Sequence, residues 1–233
     1  MNKLLIALFA VLVGGPAAHA QGYPTKPITM VNPGPPGGAI DNVARVVAAE
    51  MANVLKGSIV MGNVDGGGGL LATTRVARAA PDGYTILFHH IGVSTAPSLY
   101  KKLPYDTLKD LIPIGLTTEV PMVVVARNDL PPKTVPELVT FLKAQGNKIS
   151  MGTTGAGNVA DLCASVLMTR LGDKYTRIPY RGAPPALMDM AGGRVDIMCD
   201  QTSTSAAQIK AKTVKAYGVA TRERLAILPD VPT

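Results

Sequence analysis

Ile28-Thr29-Met30-Val31-Asn32, then Pro33-Gly34-Pro35-Pro36-Gly37-Gly38, then Ala39-Ile40-Asp41: this stretch decides the fold. An apolar, β-branched run gives way to a loop of prolines and glycines, and helical spacing begins at Asp41. Strand, turn and helix in that order form the first part of a βαβ unit, whose crossover returns the next strand parallel to the first. The order then recurs. Asp41–Leu55 reads as a helix with Val43, Val46, Val47 and Val54 on its buried side. Ser58–Asn63 reads as the second strand, Gly66–Gly69 as a loop and Leu70–Ala79 as the second helix. Tyr84–Phe88 is the third strand, after the turn Pro81-Asp82-Gly83. Three parallel strands are the expectation.

A different rhythm starts near Pro104, where prolines surround the apolar runs Leu111–Leu116 and Met122–Ala126, both read as strands. The crossing between domains is placed there. Beyond it, Val135–Gln145 reads as a helix, Lys148–Gly152 as a strand, and Gly155–Gly157 as a loop opening the helix Val159–Leu171. Tyr175–Pro179 and Val195–Cys199 read as strands, Pro184–Ala191 and Ser205–Lys212 as helices, and Val214–Ala220 as a strand leading back. The predicted fold class is α/β, in two domains with a ligand cleft between them: one domain over 21–121, a second over 122–220, and residues 221–233 returning toward the first. No helix follows the returning strand, so a C-terminal part completing the first domain is expected to be missing. Two such sheets place a cleft at the carboxyl ends of their strands.

Residues 1–20 have the pattern of a secretory signal: Lys3, an apolar run over Leu4–Val13, and Ala18-His19-Ala20 as the cleavage site. The apolar run is shorter than the roughly 20 residues a membrane span needs, so the mature chain is expected to be periplasmic and not membrane-embedded. The net charge of +7 comes from 23 basic and 16 acidic residues scattered along the chain. Nucleic-acid binders gather such charge into runs, so nucleic acid is excluded as a partner and an anionic small ligand fits better. With no Trp and 4% aromatic residues, recognition by stacking on flat rings has little to work with. The two cysteines, Cys163 and Cys199, allow one bridge in an oxidising compartment without requiring it.

The candidate site follows from the two loops. Helix N-termini expose unpaired N–H groups and the positive dipole end, each worth about 0.3–2 kcal/mol to an anion. Pro36, Gly37 and Gly38 in the first loop, and Thr153, Thr154, Gly155, Ala156 and Gly157 in the second, are the candidate cradles. Asp41 is read as a helix cap or the receiver of a ligand amine, and Asn63 as a cleft residue or turn cap. The tetraglycine run 66–69 is either a third cradle or a flexible turn. His89-His90 ends a strand, where neighbours point to opposite faces; this disfavours a shared metal, and His89 is placed toward the cleft. Asp200, at a strand end, is assigned to a ligand N–H or hydroxyl, or to capping the following helix. No nucleophile elbow, zinc helix or spaced ligand set is present, so neither catalysis nor a cofactor is expected.

Several separated motifs resemble the Bug-type extracytoplasmic receptors of the tripartite tricarboxylate transporter family. They are Tyr23-Pro24-Thr25-Lys26-Pro27-Ile28, Pro36-Gly37-Gly38-Ala39-Ile40-Asp41 and Ala80-Pro81-Asp82-Gly83-Tyr84-Thr85. Ile178-Pro179-Tyr180-Arg181-Gly182, Gly192-Gly193-Arg194-Val195-Asp196 and Pro229-Asp230-Val231-Pro232-Thr233 continue the order. The resemblance implies a type II periplasmic binding protein-like fold whose two lobes close on a small carboxylate, held by main-chain N–H groups and bridging waters, and membrane transporter subunits as partners. A periplasmic signalling adaptor is the alternative role, and an exported hydrolase or isomerase a remote third.

Overall fold

A computed structural model describes residues 22–172 and 175–233; the expected signal segment, residues 1–20, lies outside them. Ile28–Asn32 (β1) is the central strand of a three-stranded parallel sheet, flanked by Ile59–Asn63 (β2) and Thr85–Leu87 (β3). Being central, β1 is buried on both faces, and Ile28, Met30 and Val31 are no more than 1% exposed. Ala39–Leu55 (α1) crosses from β1 to β2, and Leu70–Ala77 (α2) from β2 to β3. Gly92–Leu99 (α3) follows β3; Pro97 inside it hid this helix from sequence reading.

The buried stripe of α1 differs from the expected one. Asp41, Ala44 and Ala48 face inward, with Ala44 and Ala48 packed against Met30, while Val46 and Val54 are 67% and 78% exposed. Small side chains let the helix axis approach the sheet, so the alanines mark the contact and the larger valines fall to the sides.

The second sheet has five strands in the order β6-β5-β7-β4-β8: Met122–Ala126 (β4), Ser150–Thr153 (β5), Thr176–Pro179 (β6), Ile197–Gln201 (β7) and Lys215–Val219 (β8). Strand β4 runs antiparallel to both β7 and β8, whereas β5 is parallel to β6 and β7. Helices cover both faces, as a sheet buried on two sides requires. Val135–Gln145 (α4) and Val159–Leu171 (α5) lie on one face, and Ala183–Ala191 (α6) and Thr202–Lys210 (α7) on the other. The period of two shows along β4: Val123 and Val125 enter one core, Val124 and Ala126 the other. Leu228 and Val231, past β8, are buried in this second lobe's core, and Val219 N–H donates to the Pro232 carbonyl at 2.8 Å. The chain end thus packs on the second lobe and not against the first sheet.

The expected strand Leu111–Leu116 is absent. Ile112, Ile114 and Leu116 are 83–88% exposed, and no backbone hydrogen bond joins residues 111–120 to another described residue. A strand needs a partner's ladder as well as its own apolar pattern. Cys163 on α5 and Cys199 on β7, left open by the sequence, form a disulfide across a Cα separation of 6.0 Å.

Candidate functional site

The two loops singled out in the sequence adopt one construction. Pro35-Pro36-Gly37-Gly38 closes with Gly38 N–H donating to the Pro35 carbonyl at 3.0 Å, and Gly155-Ala156-Gly157-Asn158 closes with Asn158 N–H donating to the Gly155 carbonyl at 3.2 Å. The third residue of each turn has positive φ, 74° at Gly37 and 76° at Gly157, which glycine alone adopts without strain. A carboxylate four residues on then accepts that glycine's N–H. Gly37 donates to Asp41 at 2.9 Å, and Gly157 to Asp161 at 3.0 Å.

Asp41 is turned back onto its own loop. It is 1% exposed and also accepts from Asn63 Nδ2 at 2.9 Å and from Arg45 Nε at 2.8 Å. Burial would raise its pKa, but the bonds from Arg45, Asn63 and Gly37 outweigh it and hold the carboxyl below its usual range. Asn63 bonds the Gly34 carbonyl at 2.9 Å as well, so both residues shape the first loop. Asp161, bonded to Arg177 at 3.1 Å, plays the same part in the second lobe; sequence reasoning missed it. The matching four-residue offsets, Gly37 to Asp41 and Gly157 to Asp161, would have revealed it.

With each carboxylate turned back onto its loop, the helix ends stay open. Neither Gly38 nor Asn158 makes a side-chain cap, and the first intrahelical bonds are Asn42 N–H to Gly38 O and Leu162 N–H to Asn158 O. The N–H groups of residues 39–41 and 159–161 thus have no acceptor within their helices. Helices α6 and α7, which start at Ala183 and Thr202, also lack side-chain caps. All four N-termini meet at one cavity between the lobes, lined by Gly38–Ile40, Asn158 and Ala160, Gly182 and Ala183, and Gln201. Among the described residues no Lys or Arg lines it. Its free volume is about 30 Å³, room for one or two waters, so a larger ligand enters only when the lobes part.

Of the candidate residues, Gly38, Thr154 and Asp200 line this cavity, joined by Pro33, Gly34, Pro35 and His90. Pro36, Gly37, Gly155, Ala156 and Gly157 form the turns behind it, and Thr153 is buried at the end of β5. His90 takes the place expected for His89. The His89 ring packs against Gly69. Strand alternation separates two adjacent imidazoles without saying which faces the cleft. Burial pushes the His90 pKa down to about 3, with the neighbouring His89 adding to it, so His90 is neutral. Gly92 N–H donates to His90 Nδ1 at 2.9 Å, leaving Nε2–H as the ring's donor. Among the described residues no group of three or more His, Cys, Asp or Glu could hold a metal.

The tetraglycine run touches the other lobe. Gly68, at φ 61°, lies so close to Ala156 of the other lobe that an added Cβ would overlap the Ala156 carbonyl oxygen. At Gly67, φ 58°, a Cβ would instead meet Leu70 of its own lobe. Gly68→Ala should keep the lobes from closing and weaken ligand binding at least tenfold. Gly67→Ala, with the same cost of about 1–2 kcal/mol for left-handed backbone, should not. Equal affinities for the two variants in calorimetry would dismiss the closure contact.

Two α/β lobes with strand ends and helix N-termini meeting across a cleft define the class of two-lobed binding proteins. Comparison with known proteins narrows this: a family model described as "Tripartite tricarboxylate transporter family receptor" matches residues 43–233, and the chain belongs to that family. A UPF0065 protein of Agrobacterium vitis is 45% identical over 235 residues, covering 100% of this chain and 68% of that one. The periplasmic binding protein BugD is 46% identical, with a TM-score of 0.86 over 91% of this chain and 71% of its own. MatC of Rhodopseudomonas palustris, solved with bound malate, is 39% identical, with a TM-score of 0.84 over 91% and 72% of the two chains. No described helix is long and apolar enough to cross a membrane.

Proposed function

We propose that the protein is a periplasmic receptor that closes on a small carboxylate and delivers it to membrane transporter subunits. The observation that carries this is the meeting of four helix N-termini without side-chain caps at one interlobe cavity. A carboxylate there accepts free N–H groups of α1 and α5 and lies at the positive end of four dipoles; α6 and α7 add field more than donors, since Pro184 and Pro185 carry no N–H and Thr202 N–H donates to the Pro121 carbonyl at 3.0 Å. The expected ligand is a short mono- or dicarboxylate, the class that includes the malate bound by MatC. The first-loop residues Gly38, Ala39 and Ile40, and Thr154, Asn158 and Ala160 from the second lobe, would hold the charged group, with His90 and Asp200 beside it.

Calorimetry of the mature protein against mono- and dicarboxylates, amino acids and sugars tests the reading. A carboxylate should bind and, at 100 times its Kd, stabilise the fold by about 2.7 kcal/mol in thermal unfolding. Binding of sugars with silence across the carboxylates would sink it. Delivery to a transporter is checked by uptake of the identified ligand in a deletion strain, and export by cell fractionation.

A further inference from the structure

Asp200 is an acid placed inside a cavity suited to anions. It ends β7, is 2% exposed and lines the space between the four helix N-termini. None of the ion pairs among the described residues includes it. Among the described residues its neighbours supply no countercharge. β4 presents Val123 in register with it, α7 presents the Thr204 and Ser205 hydroxyls, α5 reaches the adjacent Cys199 through the disulfide, and the first lobe contributes His90, which is neutral.

A ligand carboxylate held at these helix ends, once the lobes have closed on it, would share a dehydrated space with the Asp200 carboxyl, which lines the same cavity. One of two carboxyls so placed keeps a proton, as in any closely spaced pair. The surroundings suit a neutral Asp200. Ser205 Oγ lies 2.5 Å and Thr204 Oγ1 2.6 Å from Asp200 Oδ2, and Thr204 Oγ1 is also 2.9 Å from the Gln201 carbonyl. Thr204 has one hydrogen. Given to Gln201, it leaves the hydroxyl oxygen free to accept an O–H from Asp200, while Ser205 continues to donate. Burial already pushes the Asp200 carboxyl up, against the two hydroxyl bonds that favour its charged form.

We infer that ligand binding is coupled to protonation of Asp200, so that the closed receptor holds one carboxylate and one neutral carboxylic acid side by side. The inference rests on the cavity being the carboxylate site. It makes affinity dependent on pH. Binding is strongest below the Asp200 pKa of the free protein, and it weakens above it by up to tenfold per pH unit, until the pKa of the complex is passed.

Calorimetry of the tightest-binding dicarboxylate is done on the mature protein from about pH 6.5 to 8.5, where the ligand's own carboxylates stay ionised. It is repeated at each pH in two buffers of different ionisation enthalpy. Affinity falling with pH, with proton uptake that rises toward one per ligand, is the expected result. Asp200→Asn, isosteric and uncharged, should flatten the profile; the buffer comparison on the unaltered protein decides the matter even if that variant fails to fold. Binding that is flat in pH with no proton uptake overturns the coupling alone. So does affinity that rises with pH, the mark of a charged Asp200 pairing with a cationic ligand, or a slope that survives in Asp200→Asn. Absence of carboxylate binding at every pH overturns the site itself.

Discussion

Asp41→Ala is expected to lower the unfolding free energy by about 3 kcal/mol at neutral pH, because it strands buried donors in place of removing a matched pair. Gly37 N–H and Asn63 Nδ2 lose their acceptor at once, and Asn63 is also the link from β2 to the Gly34 carbonyl. The Arg45 contact adds little to that figure, since the guanidinium side is 52% exposed and water screens it. The effect should depend on pH with a definite sign. The Asp41 carboxyl is held below the ordinary value of 3.8, so its charged form contributes stability above that value and loses it as pH falls through the folded pKa. Urea unfolding at pH 7 and near pH 3 should show the gap between the parent and Asp41→Ala narrowing in acid. A gap of equal size at both pH values would mean that the charge of Asp41 plays no part. Asp161→Ala should reproduce the loss in the second lobe on a smaller scale, as its described partners are Gly157 and Arg177 alone.

Opening the Cys163–Cys199 bridge is expected to cost a similar amount by a different route. The cysteines lie 36 residues apart, and closing a loop of that length removes chain entropy worth about 4 kcal/mol from the unfolded state. In a protein of this size each kcal/mol moves Tm by about 2–4 °C, so reductant should lower the melting temperature by about 10 °C. Binding should suffer too. The bridge ties the middle of α5, whose first turn lines the cavity, to the residue next to Asp200. Reduction should therefore weaken carboxylate affinity as well as stability. The double variant Cys163→Ala, Cys199→Ala should behave like the reduced protein. An unchanged melting curve under reductant would show that the bridge constrains nothing the fold does not already hold.

The βαβ rhythm, the two glycine loops and their positions before helices were legible along the chain because strand, turn and helix signals are local. A β-branched run, a proline or a positive φ declares itself within a few residues. The family motifs at Pro36–Asp41, Ala80–Thr85 and Ile178–Gly182 were legible for the same reason, each being short and contiguous. Leu111–Leu116 shows the limit of such reading. Its pattern suits a strand, but only a paired neighbour can make it one. Val46 and Val54 show another, since the buried face of α1 is chosen by how closely the sheet lets the helix approach.

Roles within the cavity were the part that only tertiary structure decided. Asp41 and Asn63, each read as a ligand contact or a local cap, bond the first loop; His90 and not His89 lines the cavity; Asp161 emerged as the counterpart of Asp41 in the other lobe. The disulfide, and the approach of Gly68 to Ala156 across the cleft, join residues far apart in the chain. The amino-acid order by itself determined which segments turn, extend or coil, and hence that two α/β lobes carry open helix ends. Which side chains those ends share a space with depends on distances between elements, and these arise only when packing brings the two sheets and their helices together.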